Sequence, residues 1–217
     1  MSGPRLRPCG DAAVLVAWEA RLDPALNAHA QALAGRLAAR PWAGLGEAVP
    51  GYCTLLVHYD PAQLTYAEAA EHLRAVLVEA AALEAPPGRL VEIPVRYGGE
   101  AGPDLEVVAE HAGLSPAEVV RAHAGREYRV YLMGFTPGFA YLGELDERIA
   151  MPRLAAPRLR VPAGSVGIAG RQTGLYPLES PGGWRVIGRT AVTLFDPAAA
   201  APFLLAPGDR VRFVPEA

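Results

Sequence analysis

Apolar residues follow β-type spacing in two early segments of the chain, and turn signals interrupt both segments. The segments are residues 5–18 and 45–59, and each contains a turn pair, Gly10-Asp11 in the first and Pro50-Gly51 in the second. Each segment is therefore predicted to fold as a pair of neighbouring strands joined by a turn.

A helix is predicted after each strand pair. Asp23-Pro24 is typical of a helix start, because the acid caps free N–H groups and proline suits the first turn, and Pro41 ends this helix. Thr65 and Glu68 have the spacing of a capping box at the start of the second helix. The positions expected to face the core are Leu26, Ala30, Leu33 and Leu37, then Ala69, Leu73, Val76, Leu77 and Ala80.

The order strand–strand–helix–strand–strand–helix predicts a small N-terminal α+β sandwich domain over residues 1–88. Its boundary is placed at Pro86–Gly88, where two prolines and a glycine close the segment. The strand-like residues 89–96 could pair with either side of this boundary.

Residues 104–124 are predicted to form two short helices. Asp104 is predicted to cap the first and Gly113 to end it, and Ser115-Pro116 begins the second. The pair superficially resembles a helix-turn-helix, but it carries several acids and few basic residues. Nucleic-acid binding is therefore not expected.

Short strand-like runs dominate the rest of the chain, and Gly or Pro separates almost all of them. This regular punctuation predicts a β-barrel domain, residues 89–217, with a turn-rich aromatic loop at 135–143 and a turn at Pro207–Asp209. The predicted strands lie in residues 127–134, 158–164, 165–170, 175–180, 184–190, 191–195 and 209–216.

Composition excludes several classes of chemistry. All 20 basic residues are arginine, so a P-loop lysine, a Schiff-base lysine and a lysine general base are ruled out. Two cysteines are too few for a disulfide framework or a zinc site. The chain shows no signal-peptide pattern, and its apolar runs are too short to span a membrane. A cytoplasmic protein with no membrane or nucleic-acid partner is expected.

Positive charge is concentrated in residues 148–189. This stretch holds seven arginines and one acid, whereas the 147 residues before it hold 11 arginines and 19 acids. Guanidinium groups on rigid Gly- and Pro-rich turns suit the binding of a carboxylate or phosphate. The alternative is that these arginines form ion pairs with the acids of the earlier part.

Histidine gives little further guidance. His29 and His72 lie on predicted helices and are expected to be ordinary structural or surface residues. His123 is of more interest, because it closes the helix that precedes the barrel. No metal-ligand spacing, nucleophile elbow or glycine-rich phosphate loop is present.

Three segments carry a specific family resemblance: residues 134–143, 151–177 and 180–190. They include Pro137-Gly138-Phe139-Ala140-Tyr141-Leu142, Val161-Pro162-Ala163-Gly164-Ser165 and Gln172-Thr173-Gly174. Their order and residue types resemble the KipI family, also called the 5-oxoprolinase B subunit or allophanate hydrolase subunit 1. Weaker matches extend the resemblance over nearly the whole chain.

The resemblance implies a small N-terminal α/β domain followed by a cyclophilin-like β-barrel. It also implies a role as the B subunit of an ATP-dependent 5-oxoprolinase, which opens 5-oxoproline (pyroglutamate) to glutamate. The expected partners are the KipA-like C subunit and the A subunit of that enzyme, with ATP shared by the complex. Two alternatives stay open: a KipI-like inhibitor of a sensor histidine kinase, and a carboxyltransferase or allophanate hydrolase-like subunit of urea metabolism.

Candidate site residues come from the same motif. The arginines that repeat in it are expected to clamp anions, the polar residues to contact the amide or phosphate, and the aromatics to wall the pocket or to fill the barrel core. Arg148, Arg160, Arg171 and Arg185 are expected at the surface or an interface, and no general base or metal ligand is assigned. The candidates for substrate or anion binding are Arg153, Arg158, Ser165, Gln172, Thr173, Tyr176, Trp184 and Arg189.

Overall fold

The chain folds as two units, residues 1–87 and 88–217, and each is described by itself. The structure is a computed structural model that describes residues 3–80 and 88–216. The prolines of the predicted boundary at Pro86–Gly88 and the side chain of Ala80 lie outside the described residues.

The first unit is a four-stranded sheet, in the order β1-β2-β4-β3, covered by two helices. All its neighbouring strands are antiparallel. The core contains the predicted helix positions Leu33, Ala69 and Leu73, packed on Val14, Leu55 and other strand residues. The elements are β1 (Arg5–Pro8), β2 (Ala13–Ala17), α1 (Pro24–Ala39), β3 (Leu45–Pro50), β4 (Thr54–Tyr59) and α2 (Tyr66–Ala80).

The predicted signals at the helix starts are confirmed. The Asp23 carboxylate accepts a hydrogen bond from the Ala25 N–H at 2.8 Å, with Pro24 beginning the helix. Thr65 and Glu68 form the reciprocal bonds of a capping box, because the Glu68 carboxylate accepts from the Thr65 N–H at 2.8 Å and the Thr65 hydroxyl accepts from the Glu68 N–H. The predicted order of strands and helices in this unit is also confirmed.

The second unit is a closed barrel of seven strands, in the order β10-β7-β6-β13-β5-β12-β9. All its strand pairs are antiparallel except the parallel pair β13–β5, and a separate two-stranded ribbon, β11-β8, lies outside the barrel. The strand bounds in the first half are β5 (Leu90–Tyr97), β6 (Glu127–Met133), β7 (Ala140–Gly143) and β8 (Arg158–Val161). The remaining strands are β9 (Ser165–Ala169), β10 (Gln172–Leu175), β11 (Ser180–Gly182), β12 (Arg185–Arg189) and β13 (Arg210–Pro215).

Helices α3 (Leu105–Ala112) and α4 (Pro116–Ala124) lie between β5 and β6 in the chain, and a 3-10 helix spans Glu147–Ile149. Gly113 ends α3 with a left-handed φ of 64°, and Ser115 and Glu118 form a capping box on α4. Asp104 occupies the N-cap position of α3, but its side chain makes no cap hydrogen bond. The predicted capping role is therefore wrong, and the reason lies at the site described below.

Three strand predictions and one loop prediction in the barrel are corrected. Residues 191–195 form no strand, although Leu194 is buried and Phe195 forms an isolated bridge to Phe203. The strand predicted at 175–180 lies earlier, at Gln172–Leu175, because proline at 177 cannot donate to a ladder. The predicted loop 135–143 ends in strand β7, and the run 158–164 contributes to the ribbon. In these segments the spacing of apolar residues indicates which residues are buried. Whether a segment becomes a barrel strand depends instead on the neighbouring strands with which it can form hydrogen bonds.

Candidate binding cavity beside the barrel

A cavity of about 450 Å³ lies beside the barrel, walled by the ribbon strand β11 and by segments next to β7, β10 and β12. This volume is within the range of small-molecule sites. Its lining residues are mostly aromatic, proline or glycine, with one arginine. They are Phe135, Thr136, Phe139, Tyr141, Arg153, Pro157, Tyr176, Ser180, Pro181, Gly182, Gly183 and Trp184.

The aromatic walls of the cavity pack edge to face on one another. Phe139 lies at the centre, with its ring centroid 4.9 Å from that of Tyr176 and 5.7 Å from that of Trp184. Trp184 also meets Tyr141, at 5.8 Å. Phe139, Tyr176 and Trp184 are buried in one apolar cluster, and burial raises the pKa of the Tyr176 hydroxyl. Tyr176 and Trp184 therefore line the cavity, and the cluster in which they are buried is separate from the main core of the barrel.

Two glycines of the motif allow these rings to pack closely on the backbone. A Cβ added at Gly174 would lie 2.9 Å from the Trp184 ring and 3.0 Å from the Phe139 ring. A Cβ added at Gly182 would lie 2.5 Å from the Tyr176 hydroxyl. The glycines therefore bring the backbone of β10 and β11 into contact with the aromatic cluster.

Arg153 is the cation of the cavity. Its guanidinium carbon lies 5.8 Å from the centroid of the Trp184 ring, a cation–π distance, and its side chain is exposed. Within residues 3–80 and 88–216 its guanidinium makes no ion pair, and the lining contains no carboxylate. The cavity thus presents an uncompensated positive charge next to apolar faces.

Two hydroxyls that sequence reasoning missed belong to the cavity lining. The Thr136 and Ser180 hydroxyl oxygens are buried and have no hydrogen-bond partner among the described residues. Buried polar groups without a partner are uncommon in folded proteins. Both residues stand in segments of the family resemblance, Thr136 in 134–143 and Ser180 in 180–190, so that signal was available for both.

Arg158 is placed differently from Arg153. Its two terminal nitrogens donate to the two carboxylate oxygens of Asp104, each at 2.8 Å, and Asp104 Oδ2 also accepts from the Val186 N–H at 2.6 Å. The hydrogen bond with Asp104 raises the pKa of Arg158. Arg158 therefore follows the alternative interpretation, in which an arginine of the motif pairs with an acid of the earlier part. The same pairing explains why Asp104 does not cap α3.

Ser165, Gln172 and Thr173 do not line the cavity. Thr173 and Ser165 are almost fully buried, and Gln172 lies half-buried at the start of β10. The Thr173 hydroxyl donates to the Gly167 carbonyl at 3.0 Å, so its oxygen accepts from His123 Nε2, 2.9 Å away. The structure does not bring these polar candidates together with Arg153.

His123 is part of a buried polar chain in the barrel. Its Nδ1 lies 2.7 Å from the Tyr97 hydroxyl, which donates to it because Nε2 already holds the ring proton. Burial, assisted by the charge of Arg126, lowers the pKa of His123 to about 3. The imidazole is therefore neutral at physiological pH, and its hydrogen bonds are made within the barrel interior.

Of the remaining arginines of the motif, three form ion pairs with acids among the described residues and two do not. Arg148 pairs with Asp146, Arg160 with Glu179 and Arg171 with Glu147, and these pairs are exposed on the arginine side. Arg185 reaches the Pro152 carbonyl at 3.5 Å. Arg189 is exposed at the end of β12 and makes no ion pair within the described part of the chain.

Membrane spans and metal clusters are absent from the described part of the chain. No helix in it is both long and apolar enough to cross a membrane. No group of three His, Cys, Asp or Glu side chains in residues 3–80 and 88–216 is arranged to hold a metal ion.

The class of protein follows from the fold and from similarity to known proteins. Residues 4–205 match the family model of the carboxyltransferase domain, subdomain C and D. The structure superimposes on that of the protein TTHA0988 with a TM-score of 0.84 at 41% identity, covering 98% of this chain and 40% of the TTHA0988 chain. The chain thus spans less than half the length of that solved protein.

Two curated relatives are more specific. The chain is 49% identical to the 5-oxoprolinase B subunit of Escherichia coli O157:H7, over 95% of this chain and 94% of the relative. It is 41% identical to the 5-oxoprolinase B subunit of Bacillus subtilis strain 168, over 97% and 92% respectively. The chain therefore belongs to the family of 5-oxoprolinase B subunits.

Proposed function

We propose that this chain is the B subunit of an ATP-dependent 5-oxoprolinase, which opens 5-oxoproline to glutamate in a complex with the C and A subunits. The relatives' shared name supports this proposal over the kinase-inhibitor and urea-metabolism alternatives. ATP would be bound by the assembled complex, and this chain would be inactive alone.

The observation that carries the proposal is that Arg153 lies in a cavity walled by aromatic rings. The substrate is a small ring with one carboxylate. An unpaired guanidinium can bind that carboxylate through two parallel hydrogen bonds, while aromatic faces cover the ring. Arg153 lies over Trp184 at 5.8 Å, so both types of contact are available at one place.

The cavity also offers groups that suit a lactam amide. Thr136 and Ser180 contribute the hydroxyls that lack partners among the described residues, and a hydroxyl can donate to a carbonyl oxygen or accept from an amide N–H. In this proposal one or both hydroxyls bond the lactam once the substrate enters. A substrate that formed hydrogen bonds with both hydroxyls would remove the free-energy cost of leaving these buried groups unpaired.

In this proposal the cavity lining binds and orients the substrate. It includes neither a histidine nor a carboxylate, so the described lining residues supply no ordinary general base. The lactam carbonyl is unreactive and needs activation, for which ATP can supply a phosphoryl group. The groups that perform this activation would then come from the partner subunits or from another face of the complex.

The test is ATP-dependent glutamate release from 5-oxoproline by the reconstituted three-subunit complex. Arg153→Met keeps an unbranched apolar stem and removes the guanidinium with its charge, and it should raise KM for 5-oxoproline by roughly tenfold or more. Arg160→Met is the matched control, because Arg160 belongs to the same motif but pairs with Glu179 at the surface. A wild-type complex that releases no glutamate would defeat the proposal, and an unchanged KM in Arg153→Met would defeat the cavity as the site.

A further inference from the structure

Two arginines stand directly opposite each other on neighbouring strands of the barrel. Arg96 of β5 and Arg189 of β12 are register partners in an antiparallel ladder. Residues paired in this way project from the same face, with their Cβ atoms about 5 Å apart. Val95 is buried in the barrel core, so the neighbouring Arg96 points outward, and both arginines are exposed.

Neither guanidinium has a partner in the part of the chain that the structure describes. There, the side chains of Arg96 and Arg189 make no ion pair, hydrogen bond or ring contact. Every other arginine in residues 88–216 takes part in an ionic, polar or ring interaction. Like charges directly opposite each other destabilise a sheet, so the stability of the barrel does not explain their placement.

One more polar residue is the register neighbour of Arg189 on the next strand. Ser165 of β9 is the register partner of Arg189 on the other side, and its buried hydroxyl has no hydrogen-bond partner within the described residues. Gly164 precedes it with a φ of 80°, and a Cβ there would clash with the Thr190 carbonyl and lie 3.4 Å from Arg189 Cγ. The glycine thus allows the turn at 164 to pack against the stem of Arg189.

One acid lies close by in register. Glu216 follows β13, and its N–H donates to the Val95 carbonyl at 2.9 Å. Its side chain is exposed and forms no ion pair with Arg96. The Glu216 carboxylate therefore makes the local electrostatic potential less positive, but it does not form an ion pair with either guanidinium.

We propose that Arg96 and Arg189 form a binding site for a phosphate group, separate from the aromatic cavity. Two planar guanidinium forks side by side present more N–H donors than one carboxylate can accept, whereas a phosphate dianion can accept from both. The phosphate belongs either to a nucleotide or to free inorganic phosphate. Binding at this site is a property of the chain alone and does not depend on the proposed 5-oxoprolinase activity.

The experiment titrates the purified chain with inorganic phosphate and, separately, with ATP at low ionic strength, by calorimetry. Arg96→Gln and Arg189→Gln should each weaken binding roughly tenfold or more, since each removes charge-assisted hydrogen bonds. Arg74→Gln is the matched control, because it removes the same charge from an exposed position on α2. Glu216→Gln should strengthen binding, since it removes a negative charge beside Arg96.

Each outcome decides the proposal. Loss in the two site variants for both probes, with Arg74→Gln unchanged, supports a site for phosphate itself. The same pattern for ATP alone supports a site for the phosphates of a nucleotide. Equal losses in all three arginine variants would show a net-charge effect and overturn the site. No detectable binding of either probe, or weaker binding in Glu216→Gln, would also overturn it.

Discussion

Arg153 and Arg158 are five positions apart in one motif, yet the two regions in which they lie have opposite character. At the cavity, Arg153 rests on the face of Trp184 with no ion pair to another described residue. At the start of α3, Arg158 has both terminal nitrogens bound to Asp104, which lies 54 positions away in the sequence. The comparison shows that residue type and spacing do not distinguish an arginine left without a carboxylate partner from one held in a structural ion pair.

The difference follows from which acids the fold brings near. The Asp104 side chain is only 6% exposed and needs donors for its carboxylate, and Arg158 together with the Val186 N–H supplies them. Among the described residues no carboxylate lines the cavity, so Arg153 remains available to an external anion. Asp104→Ala and Arg153→Met test this contrast directly, and two further measurements test the aromatic packing and the buried histidine of the same unit.

The largest effect is expected from Asp104→Ala, which leaves the Arg158 guanidinium and the Val186 N–H without their acceptor. Breaking a buried ion pair costs about 3–5 kcal/mol of unfolding free energy, and the lower end of that range is expected here because the remaining Arg158 side chain is 32% exposed. Denaturant unfolding followed by circular dichroism measures the change. The control is Arg160→Ala, whose exposed pair with Glu179 should contribute under about 1 kcal/mol.

A double-mutant cycle with Arg158→Ala tests whether the two residues act together. The double variant should cost much less than the two single variants added together. Additive costs, or an Asp104→Ala cost no larger than that of Arg160→Ala, would mean that Arg158 is not a structural residue.

The second effect concerns the packing of the aromatic cluster. Gly174→Ala forces a methyl group against Trp184 and Phe139, and overpacking of this kind costs about 1–3 kcal/mol. The same unfolding measurement applies, together with the KM for 5-oxoproline in the complex. Gly113→Ala does not serve as a control, because its left-handed φ of 64° adds strain of its own. Gly35→Ala is the better control, since a Cβ there meets nothing within 4 Å.

The third effect is a pH dependence from the barrel interior. His123 has a pKa of about 3 in the folded chain and an ordinary pKa of 6.5 when unfolded. The unfolded chain therefore binds the proton first as pH falls, and folding stability drops between pH 6.5 and 3, by at most about 1.4 kcal/mol per pH unit. Unfolding free energies at about pH 7, 6 and 5 measure this slope.

His123→Gln should remove that part of the slope, since glutamine does not titrate. Carboxylates contribute mainly below about pH 5, so the difference between the two slopes over the measured range isolates the histidine. Identical slopes for the two proteins would show that His123 is not held neutral by the fold.

The smallest effect on stability is expected for Arg153→Met, at the cavity. Exposed substitutions usually change the unfolding free energy by less than about 0.5 kcal/mol, and methionine leaves an apolar side chain on the Trp184 side of the cavity. The activity of the complex should nevertheless fall, as proposed above. A loss of stability as large as that of Asp104→Ala would remove the contrast between the two arginines.

Features that depend on neighbouring residues were predictable from the sequence. The Asp23 and Ser115 caps, the Thr65–Glu68 capping box and the Gly113 helix end depend on contacts within a few positions, and all formed as predicted. The order of strands and helices in the first unit follows from the same local signals. The family motif also contains the arginine, glycines and aromatic residues that form the cavity.

Features that depend on distant partners emerged only in the tertiary structure. It paired Arg158 with Asp104, buried Thr173 beside His123, and left residues 191–195 outside the strands of the barrel. It also placed Arg96 opposite Arg189, although 93 positions separate them in the chain. The physical reason is that charge pairing and burial are set by distances in space, which closure of the barrel fixes and residue spacing does not.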